Sequence, residues 1–126
     1  MSASASAKVG QNALYRAGWI ALIVSAALMT LNHFVLIFAL NEPVLFLGWT
    51  AFNLYALAVL LIPFHRLEKW AWYVTWVLPV GLATGGFTAP DIALFYYAVA
   101  AACVLGLLLT MREFFAPERR PASGTS

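Results

Sequence analysis

Charged residues are scarce in this sequence. Among its 126 residues there are seven Lys or Arg and five Asp or Glu, so that 10% are charged while 63% are hydrophobic. A soluble domain is on average about a quarter charged, and those charges are what water solvates at its surface. The scarcity excludes an ordinary soluble enzyme, a disordered tail and a nucleic-acid-binding module, and it favours a membrane protein.

Residues that carry redox and metal chemistry are equally few. Cys103 is the only cysteine, which excludes a thiol–disulfide enzyme because that chemistry needs a pair. His33 and His65 are the only histidines, and their different predicted depths exclude a haem held by both. No cluster of His, Cys, Asp or Glu has metal-ligand spacing, and no glycine-rich phosphate loop is present. We therefore expect no catalytic residues, no metal and no cofactor, which weighs against an enzyme.

What the sequence has instead is a set of long apolar runs without any Asp, Glu, Lys or Arg. They cover residues 17–40, 44–64, 70–87 and 92–111. A helix needs about 20 apolar residues to cross the hydrocarbon core of a bilayer. The sequence therefore predicts an all-α integral membrane protein in which a single domain, residues 17–111, forms an up-down bundle of four antiparallel transmembrane helices. Residues 1–16 and 112–126 are predicted to be tails, whose Ser-, Ala-, Gly- and Pro-rich ends have too little apolar surface to fold.

The positions of the charges predict the orientation of the bundle. All seven Lys and Arg lie in the two tails and in the loop 65–69, whereas the other two loops carry only Glu42 and Asp91. Positively charged loops remain in the cytoplasm, so both termini are predicted to be cytoplasmic. The short loops favour a bacterial inner membrane. Basic residues beside the bilayer are expected to contact membrane lipids.

Helix packing is predicted from small residues and one proline. Pro79 lies inside the third run and is expected to kink that helix. Small or polar residues share a face on three of the helices: Ala17, Ala21, Ser25 and Asn32 on the first, Gly81 and Gly85 on the third, and Ala98, Ala102 and Gly106 on the fourth. Such stripes let membrane helices approach closely. They serve either contacts within the bundle or a homo- or hetero-oligomer, and the sequence does not separate these two uses.

Uncharged polar and aromatic residues gather at one depth, roughly 8–14 Å from the outer ends of three helices. They are Asn32, His33, Trp49, Thr50, Asn53, Tyr96 and Tyr97. Polar groups inside a membrane are costly and often mark a site. Glu42 and Asp91 are expected at the outer rim of the same half of the bundle, where they also complement helix N-termini.

Two functions are compatible with this pattern. In the first, the polar layer is only interhelical hydrogen bonding, and the protein is an accessory or structural subunit without catalytic machinery. In the second, the layer surrounds a small cavity centred on His33 and Asn53 that binds a lipid, a quinone or another solute, including for transport. The direction in which these side chains point distinguishes the two.

Overall fold

The computed structural model describes the backbone of residues 2–115 and the side chains from Ala13 onward, and every element in this part of the chain is helical. The elements are α1 (Ser2–Ala39), α2 (Pro43–Leu61), α3 (Lys69–Thr75), α4 (Val77–Thr88), a short 3-10 turn (Pro90–Ile92) and α5 (Ala93–Phe115). No strand occurs among these residues.

Three stretches are long and apolar enough to cross a membrane: Ala13–Ala39 in α1, Pro43–Leu61 as α2, and Pro90–Phe115, which ends in α5. The protein is therefore an all-helical membrane protein by length and composition. The fourth predicted run, residues 70–87, is divided between α3 and α4, each of which is too short to span alone.

The helices differ from the sequence prediction at their ends. α1 already begins at Ser2, so residues expected to form an irregular tail belong to the helix. The reason is local, because the first 16 residues contain no proline and several alanines, the strongest helix former. α2 ends at Leu61 because Pro63 forces the residue before it out of helical geometry. The C-terminal tail beyond Phe115 lies outside the described residues.

The predicted kink in the third run is present as a break between α3 and α4 at Trp76. Pro79 has no backbone N–H to donate to the carbonyl one turn earlier, that of Thr75. The chain tightens at this point, where the Trp76 N–H donates to the Tyr73 carbonyl at 3.2 Å. The break therefore appears one turn before the proline that causes it.

α1 is the central helix of the bundle. It packs against α2 on one side and α5 on the other, and α4 packs against α5, whereas α2 and α4 hardly approach each other. The core between the packed helices is apolar and includes Leu22, Leu60, Phe64, Leu82 and Leu107. The bundle is thus closed around α1 and left open between α2 and α4.

Gly18 of α1 and Gly106 of α5 form a close contact between these two helices. A Cβ added at Gly18 would lie 2.6 Å from the Gly106 carbonyl oxygen, and one at Gly106 would lie 2.8 Å from the Gly18 oxygen. Gly106 was part of a predicted small-residue stripe, but Ala17 and Ala98 of those stripes are exposed. α1 contacts α5 at Gly18 instead, the residue after Ala17, because a residue without a side chain lets the two backbones approach most closely.

Candidate functional site

The polar layer is built around three side chains from three helices. His33 of α1 lies between Asn53 of α2 and Tyr96 of α5. His33 Nε2 is 2.9 Å from the Tyr96 hydroxyl, and His33 Nδ1 is 3.0 Å from Asn53 Nδ2. His33 and Asn53 are each only 1% exposed. The structure thus brings together three of the residues that the sequence predicted as a site.

The hydrogen bonds determine which ring nitrogen of His33 carries the proton. Asn53 Nδ2 also lies 2.8 Å from the carbonyl oxygen of Trp49. A carbonyl oxygen only accepts, so the Asn53 atom that faces it must be the amide nitrogen, and this assigns the nitrogen and the oxygen of the amide. The second N–H of the same nitrogen points at His33 Nδ1, which therefore accepts. The proton of the neutral imidazole is then on Nε2, and Nε2–H donates to the Tyr96 oxygen.

Two polar groups of this network have hydrogen-bonding capacity that the network does not use. The Tyr96 oxygen accepts from His33 and is also reached by the Asn32 side chain as a donor, so the hydroxyl proton of Tyr96 is not used by these bonds. Asn53 Oδ1 is buried and accepts no hydrogen bond from the described residues. A buried polar group without a partner costs about 1–3 kcal/mol. The Asn53 oxygen is therefore a position at which a bound water or ligand can donate a hydrogen bond.

Aromatic rings surround the imidazole with similar orientations. The rings of Trp49, Tyr96 and Phe46 lie within 22–29° of the His33 plane, with centroids 5.6–6.3 Å from its own. Parallel, offset rings are a favourable aromatic arrangement. Together they form walls suited to a flat group.

A cavity of about 370 Å³ lies beside this network, and we name it the His33 cavity. It lies between the beginning of α2, the end of α4 and the inner faces of α1 and α5. Its lining residues are His33, Glu42, Leu45, Phe46, Trp49, Gly85, Thr88, Ala89, Ile92 and Tyr96. Glu42 is the one charged residue among them, and it is exposed. The volume is within the range of small-molecule sites.

An apolar groove lies beside this cavity, between α2 and the α3–α4 pair. We name it the α2–α4 groove. It comprises two further cavities of about 470 and 290 Å³, whose walls share Phe52 and Val77. Leu45 and Trp49 line both the first of these and the His33 cavity. In this groove Trp49 and Phe52 of α2 face Gly81 of α4, where an added Cβ would lie 3.6 Å from the Phe52 ring and 3.7 Å from the Trp49 ring.

The remaining predicted site residues have separate places. Asn32 is half-buried, and its side chain reaches the Tyr96 hydroxyl oxygen. Thr50 is buried, but its hydroxyl donates to the Phe46 carbonyl of its own helix at 2.7 Å. Tyr97 is 44% exposed and lines none of the cavities described here. Of the two predicted rim carboxylates, Glu42 lines the His33 cavity, whereas Asp91 is exposed in the 3-10 turn and does not.

Sequence reasoning missed Phe46 and Gly85. Phe46 lies three residues before Trp49 and seven before Asn53, so a helical projection of α2 places it on the same face. Gly85 lines the cavity and would carry a Cβ 3.7 Å from the Tyr96 ring. The Gly81 and Gly85 stripe predicts a close helix contact, but the sequence does not indicate that α5 is the neighbour that Gly85 meets.

Within the described residues no group of three His, Cys, Asp or Glu is placed to hold a metal ion, and Cys103 is buried in the core. The site offers uncharged hydrogen-bonding groups, flat aromatic walls and an apolar extension. Such a site suits non-covalent binding of a small molecule.

The fold and the site define an all-helical membrane protein with a buried His–Asn–Tyr network beside a groove. Comparison of the chain with models of known protein families, with curated proteins and with solved structures finds no match in any of the three.

Proposed function

We propose that the protein is a four-span membrane protein that binds a small amphiphile, with the polar head in the His33 cavity and the apolar tail in the α2–α4 groove. The supporting observation is that the His33 cavity, which His33 and Tyr96 line, shares Leu45 and Trp49 with the neighbouring apolar groove. An amphiphile likewise has a polar head joined to an apolar tail.

The fourth span in this proposal is α3 and α4 together. Residues 69–88 supply about 20 residues, which matches one crossing, and helix breaks at proline are tolerated in membrane helices. The distribution of Lys and Arg supports an orientation in which both termini and the loop 65–69 are cytoplasmic, and a bacterial inner membrane is the membrane we propose.

Thiol labelling tests this topology. In a Cys103→Ala background, cysteines are introduced singly in place of Glu42, Arg66 and Asp91, all of which are exposed. A membrane-impermeant maleimide is expected to label positions 42 and 91 in intact cells, and position 66 only after permeabilisation. Labelling of position 66 on the same side as position 42 contradicts the four-span topology.

The tail contributes to fit more than to affinity. Lipid tails are as apolar as leucine, so moving a chain from the bilayer into the groove gains little hydrophobic free energy. The gain comes from the head, whose hydrogen bonds to the protein are each worth about 0.5–1.5 kcal/mol after the loss of the bonds to water that they replace. The groove is needed because the head cannot enter the cavity unless its tail is accommodated.

Filling the groove tests the binding function. Ala56 lines the α2–α4 groove, whereas Ala101 of α5 is exposed and lines none of the cavities described here. Native mass spectrometry of the protein in mild detergent is expected to show a co-purified amphiphile that is lost in Ala56→Leu and retained in Ala101→Leu. Retention in both variants, or no bound molecule in the unmodified protein, contradicts the proposal.

A second candidate function is that of an accessory or structural subunit. One observation favours it: Ala17 and Ala98 belong to small-residue stripes yet are exposed, which leaves close-packing faces for another helix. This function predicts that a protein co-purifies in mild detergent and that Ala17→Leu or Ala98→Leu releases it. Such a partner, with no bound amphiphile, would favour this role over the first.

A further inference from the structure

The hydrogen bonds of the network specify the chemistry of the head group. We propose that the His33 cavity binds a flat, uncharged carbonyl compound of the quinone class, whose carbonyl oxygen accepts the hydroxyl proton of Tyr96. This inference rests on the proposed amphiphile-binding function and names the ligand for that site.

The role of the Tyr96 hydroxyl follows from the hydrogen bonds around it. The Trp49 carbonyl orients the Asn53 amide, Asn53 donates to His33 Nδ1, and His33 Nε2–H donates to the Tyr96 oxygen. Each bond in this chain determines the next. The hydroxyl proton is not used by these bonds, and Tyr96 and His33 both line the His33 cavity, where an acceptor on a bound ligand can reach it.

The residues that line the cavity favour an uncharged ligand over an anionic one. No Lys or Arg lines the His33 cavity, and Glu42 stands at its mouth, so a phosphate or carboxylate head meets no positive partner and one negative charge. An anionic lipid headgroup is thereby disfavoured. The acceptor that fits the Tyr96 proton is a neutral oxygen, such as that of a ketone, ester or quinone.

The aromatic rings around His33 favour a flat ligand. Trp49, Phe46 and Tyr96 present rings within 22–29° of the imidazole plane, which makes the walls flat. A flat conjugated ring stacks on such walls better than a branched ester does. A carbonyl on a flat ring with an apolar chain is the structure of a substituted quinone.

The test uses three probes with ten- or twelve-carbon tails: decylubiquinone, decylbenzene and dodecyltrimethylammonium. Bound fractions are measured by native mass spectrometry in detergent for the unmodified protein, for Tyr96→Phe and for the matched control Tyr97→Phe. Tyr97 is the neighbouring residue, is exposed and lines none of the described cavities, so the same atom is removed outside the site.

We expect decylubiquinone to bind more tightly than decylbenzene, and Tyr96→Phe to weaken decylubiquinone about five- to tenfold, the effect of one hydrogen bond. Tyr97→Phe and the binding of decylbenzene should be unchanged. The comparison between the two probes needs no variant, so it tests the carbonyl even if Tyr96→Phe folds poorly.

The other outcomes separate the two proposals. Equal binding of decylubiquinone and decylbenzene, with no effect of Tyr96→Phe, overturns the carbonyl assignment but leaves amphiphile binding in place. Preference for dodecyltrimethylammonium overturns it in favour of a cationic head at Glu42. Failure of all three probes to bind, together with no co-purified amphiphile, overturns the proposed function itself.

Discussion

At the scale of single residues, Asn53 organises the site. Its amide nitrogen donates both to the Trp49 carbonyl and to His33 Nδ1, so one side chain links the backbone of α2 to the imidazole of α1. Its oxygen has no partner among the described residues. Asn53 therefore determines the tautomer of His33 and, through it, the direction of the Tyr96 proton.

This role predicts the protonation of His33. In ¹⁵N NMR of histidine-labelled protein, we expect the pattern of a neutral ring with Nε2–H and an unprotonated Nδ1. Asn53→Leu should populate both tautomers because nothing then donates to Nδ1, and loss of the two bonds should destabilise the protein by about 1 kcal/mol.

Thr50→Val is the matched control for this prediction, since Thr50 is also buried on α2 but bonds only its own helix. It should leave the His33 signals unchanged. The opposite tautomer, with Nδ1–H donating to the Met29 carbonyl one turn earlier in α1, would contradict the assignment. It would also place two N–H groups, those of Asn53 and His33, against each other.

At the scale of elements, the break between α3 and α4 shapes the groove. Val77 and Leu78, which follow the break, line the α2–α4 groove, as do Val74 and Thr75 before it. The break between α3 and α4 therefore lies within the wall of the groove.

Replacing Pro79 tests this dependence. Pro79→Ala supplies the missing N–H for the Thr75 carbonyl, so we expect α3 and α4 to join and hydrogen exchange between residues 75 and 80 to slow. The added hydrogen bond should stabilise the helix by about 1 kcal/mol while weakening amphiphile binding. Pro43→Ala is the control, because Pro43 is at the first position of α2, where no N–H is needed. Equal slowing in both variants would contradict the assignment of the break to Pro79.

The sequence predicts these elements unevenly, and the reasons are physical. Pro79 predicts a break because its missing N–H is a property of that one residue. The apolar runs predict helices because their length and composition are also local properties of the sequence. The polar layer was predicted from depth alone, since 1.5 Å per residue places His33, Asn53 and Tyr96 at one level. Phe46, Gly18 and Gly85 were missed because their roles depend on helix rotation and on which helices are neighbours, and these follow from packing of the whole bundle.

At the scale of the whole molecule, one side of the bundle is closed tightly and the opposite side is open. Gly18 and Gly106 bring α1 and α5 into backbone contact, whereas α2 and α4 leave the groove between them. His33 and Tyr96 are carried by the two helices of the tight contact. The distance between Nε2 and the hydroxyl therefore depends on how closely α1 and α5 pack.

This dependence gives two glycines opposite expected effects. A Cβ at Gly106 would lie 2.8 Å from the Gly18 carbonyl oxygen, so Gly106→Ala should separate α1 from α5, destabilise the protein by about 1–3 kcal/mol and weaken binding in the His33 cavity. A Cβ at Gly48 of α2 meets nothing within 4 Å, so Gly48→Ala should stabilise by about 0.5–1 kcal/mol through helix propensity alone. Unfolding in mixed micelles, followed by circular dichroism, measures both. The two glycines differ in what surrounds them, since Gly106 faces the backbone of α1 and Gly48 faces open space. A stability change of the same sign in both variants would therefore show that the α1–α5 contact does not control the stability of the protein.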